Sequence, residues 1–362
     1  MKKIFLLFFA SFYLLVSSAN AQEDRAVWSK EKANEWYSKK GWLRGSNFIP
    51  STAINQLEMW QKETFDTATI GRELGYAEGI GFNTMRVFLH HLAWRIDPAG
   101  FKQRVSKYLE IADRHHISTM FVFFDDCWNE TYKQGLQPAP KPGIHNSGWV
   151  KDPGKLYYDS AALIVTLERY VKDVLTSFRH DKRILLWDLY NEPGNSGYGD
   201  KSLVLLQKVF KWGRQVKPDQ PLSAGLWDES LNNMNKFLFE NDDIITYHNY
   251  EPADVHQKVI DSLKAFGRPL ICTEYMARSR GSMFGNIMPL LKENNVGAIN
   301  WGFVMGKTNT IYAWDKPMPD GSEPEVWFHD IFRANGSAYK EEEIKLIDSL
   351  TGKKYVGQST NR

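Results

Sequence analysis

Eight short apolar runs, each followed by a stretch with helical spacing, constrain this chain more than any other feature. The runs are residues 41–50, 82–89, 117–124, a segment beginning at Ile184, then 222–226, 244–250, 269–275 and 296–303. They are rich in bulky and β-branched residues and too short for buried helices, so they read as strands. Between them apolar residues recur every three or four positions. Ile70, Leu74, Ala77 and Ile80 follow an Asp66 or Thr67 N-cap; Phe101, Val105, Leu109 and Ala112 follow Pro98; Leu163, Leu167, Tyr170, Val174 and Phe178 precede Ile184. Leu203, Leu206, Val209 and Phe210, then 231–239, Val259 with Leu263 and Phe266, and 287–292 continue the pattern. Such alternation calls for parallel strands covered by amphipathic helices, and eight units predict closure into a single-domain α/β fold, the (β/α)8 TIM barrel. An open doubly wound sheet is the alternative, disfavoured because no Gly-rich phosphate loop follows the first strand.

The barrel is expected over residues 41–337, after a lead-in at 22–40 and before a charged, peripheral tail at 338–362. Residues 1–21 combine Met1-Lys2-Lys3, an apolar run over 4–16 and a small-residue Ala19-x-Ala21 site. This is the pattern of a cleaved secretory signal peptide, so the protein is expected to be secreted or periplasmic in a bacterium. The run is short for a bilayer span, no later run is long enough, and no cysteine stands at a lipoprotein position; no membrane partner is expected once the signal is removed. A net charge of +2 without a basic cluster argues against nucleic acid. Only Cys127 and Cys272 occur, read as buried free thiols on the third and seventh strands rather than a disulfide framework. A monomer without cofactor or metal is expected.

Chemistry concentrates at strand ends. The fourth strand stops at Asn191-Glu192-Pro193-Gly194, and the seventh ends in Glu274. Barrel enzymes carry their reacting groups at that end of the strands, and two carboxylates there suit acid/base and nucleophilic work on one bond. Asp125, Asp126, His90 and His91 also fall at or just past strand ends and are read as substrate contacts; no His-x-x-x-His or comparable spacing accompanies them, which argues against metal catalysis. The segment from Asp125 to Asp159 is too long for an ordinary connection, and a loop of that length in a compact domain is usually functional. Its Trp128, His145 and Trp149 are expected to wall a cleft, with Tyr312 and Trp314 from a second long loop, 307–324, on the opposite rim. The thirteen tryptophans, within 14% aromatic residues, suit an enzyme that stacks sugar rings.

Arg86 on strand two, Asn191-Glu192-Pro193 after strand four, His248 and Tyr250 on strand six, Glu274 after strand seven and Trp301 on strand eight occur in one order over nearly the whole mature chain. In these positions the sequence resembles the clan A glycoside hydrolases, and among them the cellulase-like enzymes of family five; close bacterial sequences are often labelled 1,4-β-xylanase, a specificity no residue here spells out. The resemblance implies a retaining β-glycoside hydrolase acting on β-linked, 1,4-type oligo- or polysaccharide. Glu192 would be the acid/base and Glu274 the nucleophile, with Arg86 keeping Glu274 ionised and Tyr250 orienting it. Asn191 would bind the sugar 2-hydroxyl and Trp301 would form the floor beneath the ring, with His248, Asp126, Trp128 and His91 as further substrate contacts. A carbohydrate-binding barrel without catalysis, or a transglycosylase using the same residues, are the alternatives.

Overall fold

The computed structural model describes residues 23–355. The expected signal segment, 1–21, lies outside the described residues. Eight parallel strands form one sheet: β1 (Arg44–Asn47), β2 (Thr84–Phe88), β3 (Ser118–Asp125), β4 (Ile184–Asn191), β5 (Leu222–Ser223), β6 (Ile245–His248), β7 (Leu270–Glu274) and β8 (Gly297–Asn300). Each pairs with its sequence neighbour up to β5, and β1 returns to β8. The ring closes between β5 and β6 through a bridge from Leu226 to Tyr247, where Leu226 N–H donates to Thr246 O at 3.0 Å and His248 N–H to Leu226 O at 2.8 Å. All eight strands therefore lie where their apolar runs place them, most of them shorter than the run and β3 reaching one residue further to Asp125, and the open-sheet alternative falls away.

The helices form for the reasons their sequences give. Asp66 accepts from Thr69 N–H at 3.0 Å and starts Thr67–Gly79; Asp97 accepts from Gly100 N–H at 2.9 Å and starts Pro98–Arg114, with proline in the first turn. These caps satisfy amide groups that the first turn leaves unpaired. The latter helix turns Phe101, Val105, Leu109 and Ala112 onto the sheet, all buried.

Two terminal segments complete the domain. Helix Lys30–Ser38 buries Ala33 and Tyr37 with Trp28 against Leu43, Met120, Leu186, Ile244 and Ile299, plugging the end of the barrel where strands begin. At the other terminus, the segment read as a charged tail contains helix Glu341–Thr351. Ile344 and Ile347, three apart, give it a buried face, and Arg278 pairs with Glu343 at 2.6 Å. Its charges hide that stripe from a composition-based reading. Among the described residues no helix is long and apolar enough to cross a membrane.

Candidate active site

The rim at the carboxyl ends of the strands encloses a cavity of about 690 Å³ lined by Glu192 and Glu274 among others. Arg86 organises its floor. It points from β2 into the barrel, fully buried, with Nε donating to Asp188 Oδ2 at 2.8 Å, Nη1 to Asn47 Oδ1 at 2.9 Å and Glu274 Oε1 at 2.8 Å, and Nη2 to Asn191 Oδ1 at 2.7 Å. Only a planar guanidinium serves four acceptors in these directions at once, and its charge is compensated by two carboxylates inside the protein. Asn191 passes the arrangement on, donating from Nδ2 to Asp125 Oδ1 at 2.9 Å, while Trp149 Nε1 donates to Asp125 Oδ2 at 2.7 Å. Burial, the larger effect, pushes the Asp125 carboxyl up to about 6 against the pull of these donors.

The two glutamates are set by different neighbours. Glu274 takes the Arg86 contact on Oε1 and the Tyr250 hydroxyl on Oε2 at 2.8 Å. Glu192, just past β4, takes His248 Nδ1 on Oε1 at 2.8 Å, and on Oε2 both the Cys127 thiol at 3.2 Å and Asn195 Nδ2 at 2.5 Å. The facing carboxylate oxygens and His248 Nδ1 lie within 4.8 Å of one another. Burial raises both carboxyls; at Glu274 the neighbouring His248 works against burial and the charge on Glu192 works with it. Burial also lowers His248 to about 4, and the permanent cation facing Glu274 is Arg86. Glu192 itself has φ +43°, a left-handed backbone that costs a non-glycine residue about 1–3 kcal/mol and clusters at functional sites.

The expected residues converge with a few exceptions. Arg86, Asn191, Glu192, His248, Tyr250, Glu274, Trp301 and Trp128 all meet here, as do Asp125, His145, Trp149 and Trp314. Trp301, 7% exposed, stands edge-on to Phe88 and Trp149; Trp128, 39% exposed, lies over the His145 ring at 5.2 Å. Asp126 is not a cavity residue. It is buried, accepting from Tyr190 OH and Gly194 N–H, each at 2.8 Å, and thereby ties down the turn that carries Glu192. His91 and His90 are buried beside Asp152, with His91 N–H donating to Asp152 Oδ2 at 2.7 Å and His90 Nε2 bonded to Lys151 O; they staple the long loop instead of facing the cavity. Tyr312 reaches the site only through its carbonyl, which accepts from His145 Nδ1 at 2.8 Å. That bond and others join loop 307–324 to the loop after β3, so the two build one wall rather than opposite rims. Cys127 lies two residues beyond β3, half-buried in the cavity rather than on a strand; both cysteines are free.

Several site residues escaped the sequence reading. Asp188 could have been found, because an acid inside the apolar run of β4 needs a buried partner. Asn47, Asn146, Asn195 and Trp227 carry no such mark, since only the fold brings their loops to the rim.

A closed barrel with two carboxyl groups facing each other across its mouth has the build of a glycoside hydrolase. The chain belongs to glycosyl hydrolase family 5 (cellulase), whose sequence pattern matches residues 76–304. It is structurally similar to the endo-β-1,4-mannanase from Thermotoga petrophila, with 16% identity, TM-score 0.57 and coverage of 90% of this chain and 80% of that one. An exo-β-1,4-mannosidase from Opitutaceae bacterium strain TAV5 shares 14% identity at TM-score 0.59, covering 86% and 60%. The endo-1,4-β-mannanase from Rhizomucor miehei shares 13% at TM-score 0.56, covering 86% and 96%. At these identities the likeness is one of fold. No curated protein sequence matches the chain.

Proposed function

We propose that this protein is an exported, retaining β-glycoside hydrolase that cleaves its substrate by double displacement. The observation that carries the reading is the pairing of Glu192 and Glu274, with facing oxygens within 4.8 Å and Arg86 bonded to only the second. Retaining enzymes hold their two carboxyl groups roughly 5–5.5 Å apart, whereas inverting ones leave about 6.5 Å or more for a water. Two like charges this close cannot both be held in a buried site, so one proton stays with the pair. Arg86 and Tyr250 stabilise the charge on Glu274, which leaves that proton on Glu192.

In the first step the Glu274 carboxylate attacks the anomeric carbon as the bond to the leaving oxygen breaks, and Glu192 gives its proton to that oxygen. The product is a glycosyl ester on Glu274 and a free alcohol. Glu192, now a carboxylate, takes a proton from water while the water oxygen attacks the anomeric carbon and expels Glu274. Both acids return to their starting states. An acceptor sugar in place of water would give transglycosylation with the same groups. Residues 1–21 support export, and Trp128, Trp227, Trp301 and Trp314 around the cavity support a sugar substrate.

The test is turnover of β-linked manno-, gluco- and xylo-oligosaccharides and aryl β-glycosides, with proton NMR of the first product. A β-anomer formed first is the expected result; an α-anomer would overturn retention. Glu274→Gln is expected to abolish turnover and keep sugar binding. Wild-type protein that binds these sugars and cleaves none would support a non-catalytic barrel instead.

A further inference from the structure

The loops after β1, β3 and β8 are fastened together on one side of the cavity. Asn146 N–H donates to Thr308 O at 2.8 Å, Met318 N–H to Gly143 O at 3.0 Å, and Lys307 N–H to Ser51 O at 3.0 Å. Asn55 Nδ2 donates to Gly148 O at 2.9 Å. The backbones touch: a Cβ on Gly143 would fall 1.6 Å from Met318 O, and one on Gly306 would fall 2.5 Å from Ser51. No sugar chain passes through such a seam. It stands over the β8–β1–β2 side of the barrel, across from the Glu192 turn after β4.

That placement has a direction, given the acid and nucleophile assigned above, on which this inference rests. The acid must sit beside the leaving oxygen, so the leaving group lies on the Glu192 side. The ring being transferred sits over Glu274 with its far edge pointing at the wall. A 1,4-linked chain continues from that far edge, through the oxygen on C4.

The wall also holds polar atoms that are covered and without a protein partner, which a sugar reaches through a small side-chain rotation. Asn146, 1% exposed and with φ +46°, lines the cavity with neither its amide oxygen nor its amide nitrogen hydrogen-bonded to protein. His145, likewise lining it, has Nδ1 bonded to the Tyr312 carbonyl, which fixes the proton on Nδ1 and leaves Nε2 a lone-pair acceptor without a partner. A buried donor or acceptor left unmatched costs about 1–3 kcal/mol, so these groups point to a ligand that supplies hydroxyls. A terminal sugar offers a hydroxyl that can donate to Nε2. An internal residue offers an ether oxygen in its place, which cannot.

We propose that the cleft is blind on the glycone side and that the enzyme works from the non-reducing end of its substrate, with Asn146 and His145 binding the free hydroxyls of the terminal sugar. The test uses the unlabelled oligosaccharide that the wild-type enzyme turns over, reduced to an alditol at its other end, beside the same compound with a 4-O-methyl group on its non-reducing residue. The expected result is monosaccharide and an alditol one unit shorter from the earliest times, with the capped compound cut at least about 100-fold more slowly, since sites built around a hydroxyl reject analogues lacking it strongly. Internal cleavage, with the capped compound cut at a similar rate, overturns the end-specific reading while leaving the hydrolase intact. If neither oligosaccharides nor aryl β-glycosides are cleaved, the hydrolase reading fails and this one with it. Asn146→Gly is expected to raise KM about tenfold with an unchanged or higher Tm, because it deletes unmatched buried groups and glycine adopts φ +46° without strain. A lower Tm with unchanged KM would show a purely structural asparagine and remove it from the proposal.

Discussion

The thiol of Cys127 donates to Oε2 of Glu192 at 3.2 Å, the same oxygen that accepts from Asn195. Burial raises the thiol far out of its ordinary range, with the Glu192 charge adding to it, so the group stays protonated and acts as a donor. A donor to a carboxylate favours its ionised form.

Changing that donor is expected to move the basic limb of activity. Cys127→Ala removes a weak donor, which raises the Glu192 carboxyl and shifts the basic limb of kcat/KM to higher pH. Cys127→Ser supplies a stronger donor and shifts it to lower pH. The check is the pH profile from 4 to 9 for all three proteins; shifts of the same sign in both variants would refute the assignment.

Arg86 makes its contacts through a fork that lysine lacks. Arg86→Lys keeps the charge but cannot hold Glu274, Asn191, Asn47 and Asp188 together, and small misplacements of reacting groups cost about 10²-fold in rate. A fall of about that size in kcat, with KM little changed, is expected from steady-state kinetics. Arg86→Met, leaving two buried carboxylates without their cation, is expected to lose about 3–5 kcal/mol by urea denaturation.

Asp126 does not line the cavity yet holds the turn that bears Glu192. Asp126→Ala is expected to cost about 2–3 kcal/mol through unmatched donors and to lower kcat more than it changes KM. A crystal structure of the variant would show the turn displaced.

His145 gives stability a pH dependence of known sign. Burial lowers it to about 4 in the native protein, while the unfolded chain titrates near the ordinary histidine value of about 6.5. Its native environment thus favours the neutral form. As pH falls from about 6.5 to about 4 the unfolded state gains a proton that the native state does not, and stability is lost. Relative to His145→Gln, the wild type is expected to lose about 3 kcal/mol between pH 7 and pH 4. Parallel unfolding curves at the two pH values measure this difference directly.

The strands and most helices were legible because burial on a barrel leaves a mark in the sequence: β3 and β4 are almost wholly buried and mostly apolar, and Pro98–Arg114 carries its buried face at regular intervals. Helix Glu341–Thr351 was not, although Ile344, Ile347 and Leu350 recur at helical spacing, because the charges around them give the segment the composition of a tail. At the site, Glu192 and Glu274 could be read from where apolar runs end. Asp126 and His91 stood at similar ends but face neighbouring loops, since a residue just past a strand can turn toward the rim or toward the helices, and spacing does not say which. Asn146 and the joining of the loops after β3 and β8 depend on contacts more than 150 residues apart, which no local pattern records.

The plug formed by Trp28, Ala33 and Tyr37 sets an order on how the molecule assembles. The first described residues bind partners that come late: Trp28 N–H donates to Asp243 Oδ1 at 2.8 Å, and Ile299 of β8 shares its apolar cluster. A chain threaded amino-end first must keep these aromatics waiting until the last strand arrives, and long-range closures of this kind are slow. During that interval an unfinished barrel exposes an indole and a phenol at its open base, so assistance that shields this terminus should raise the yield of folded protein.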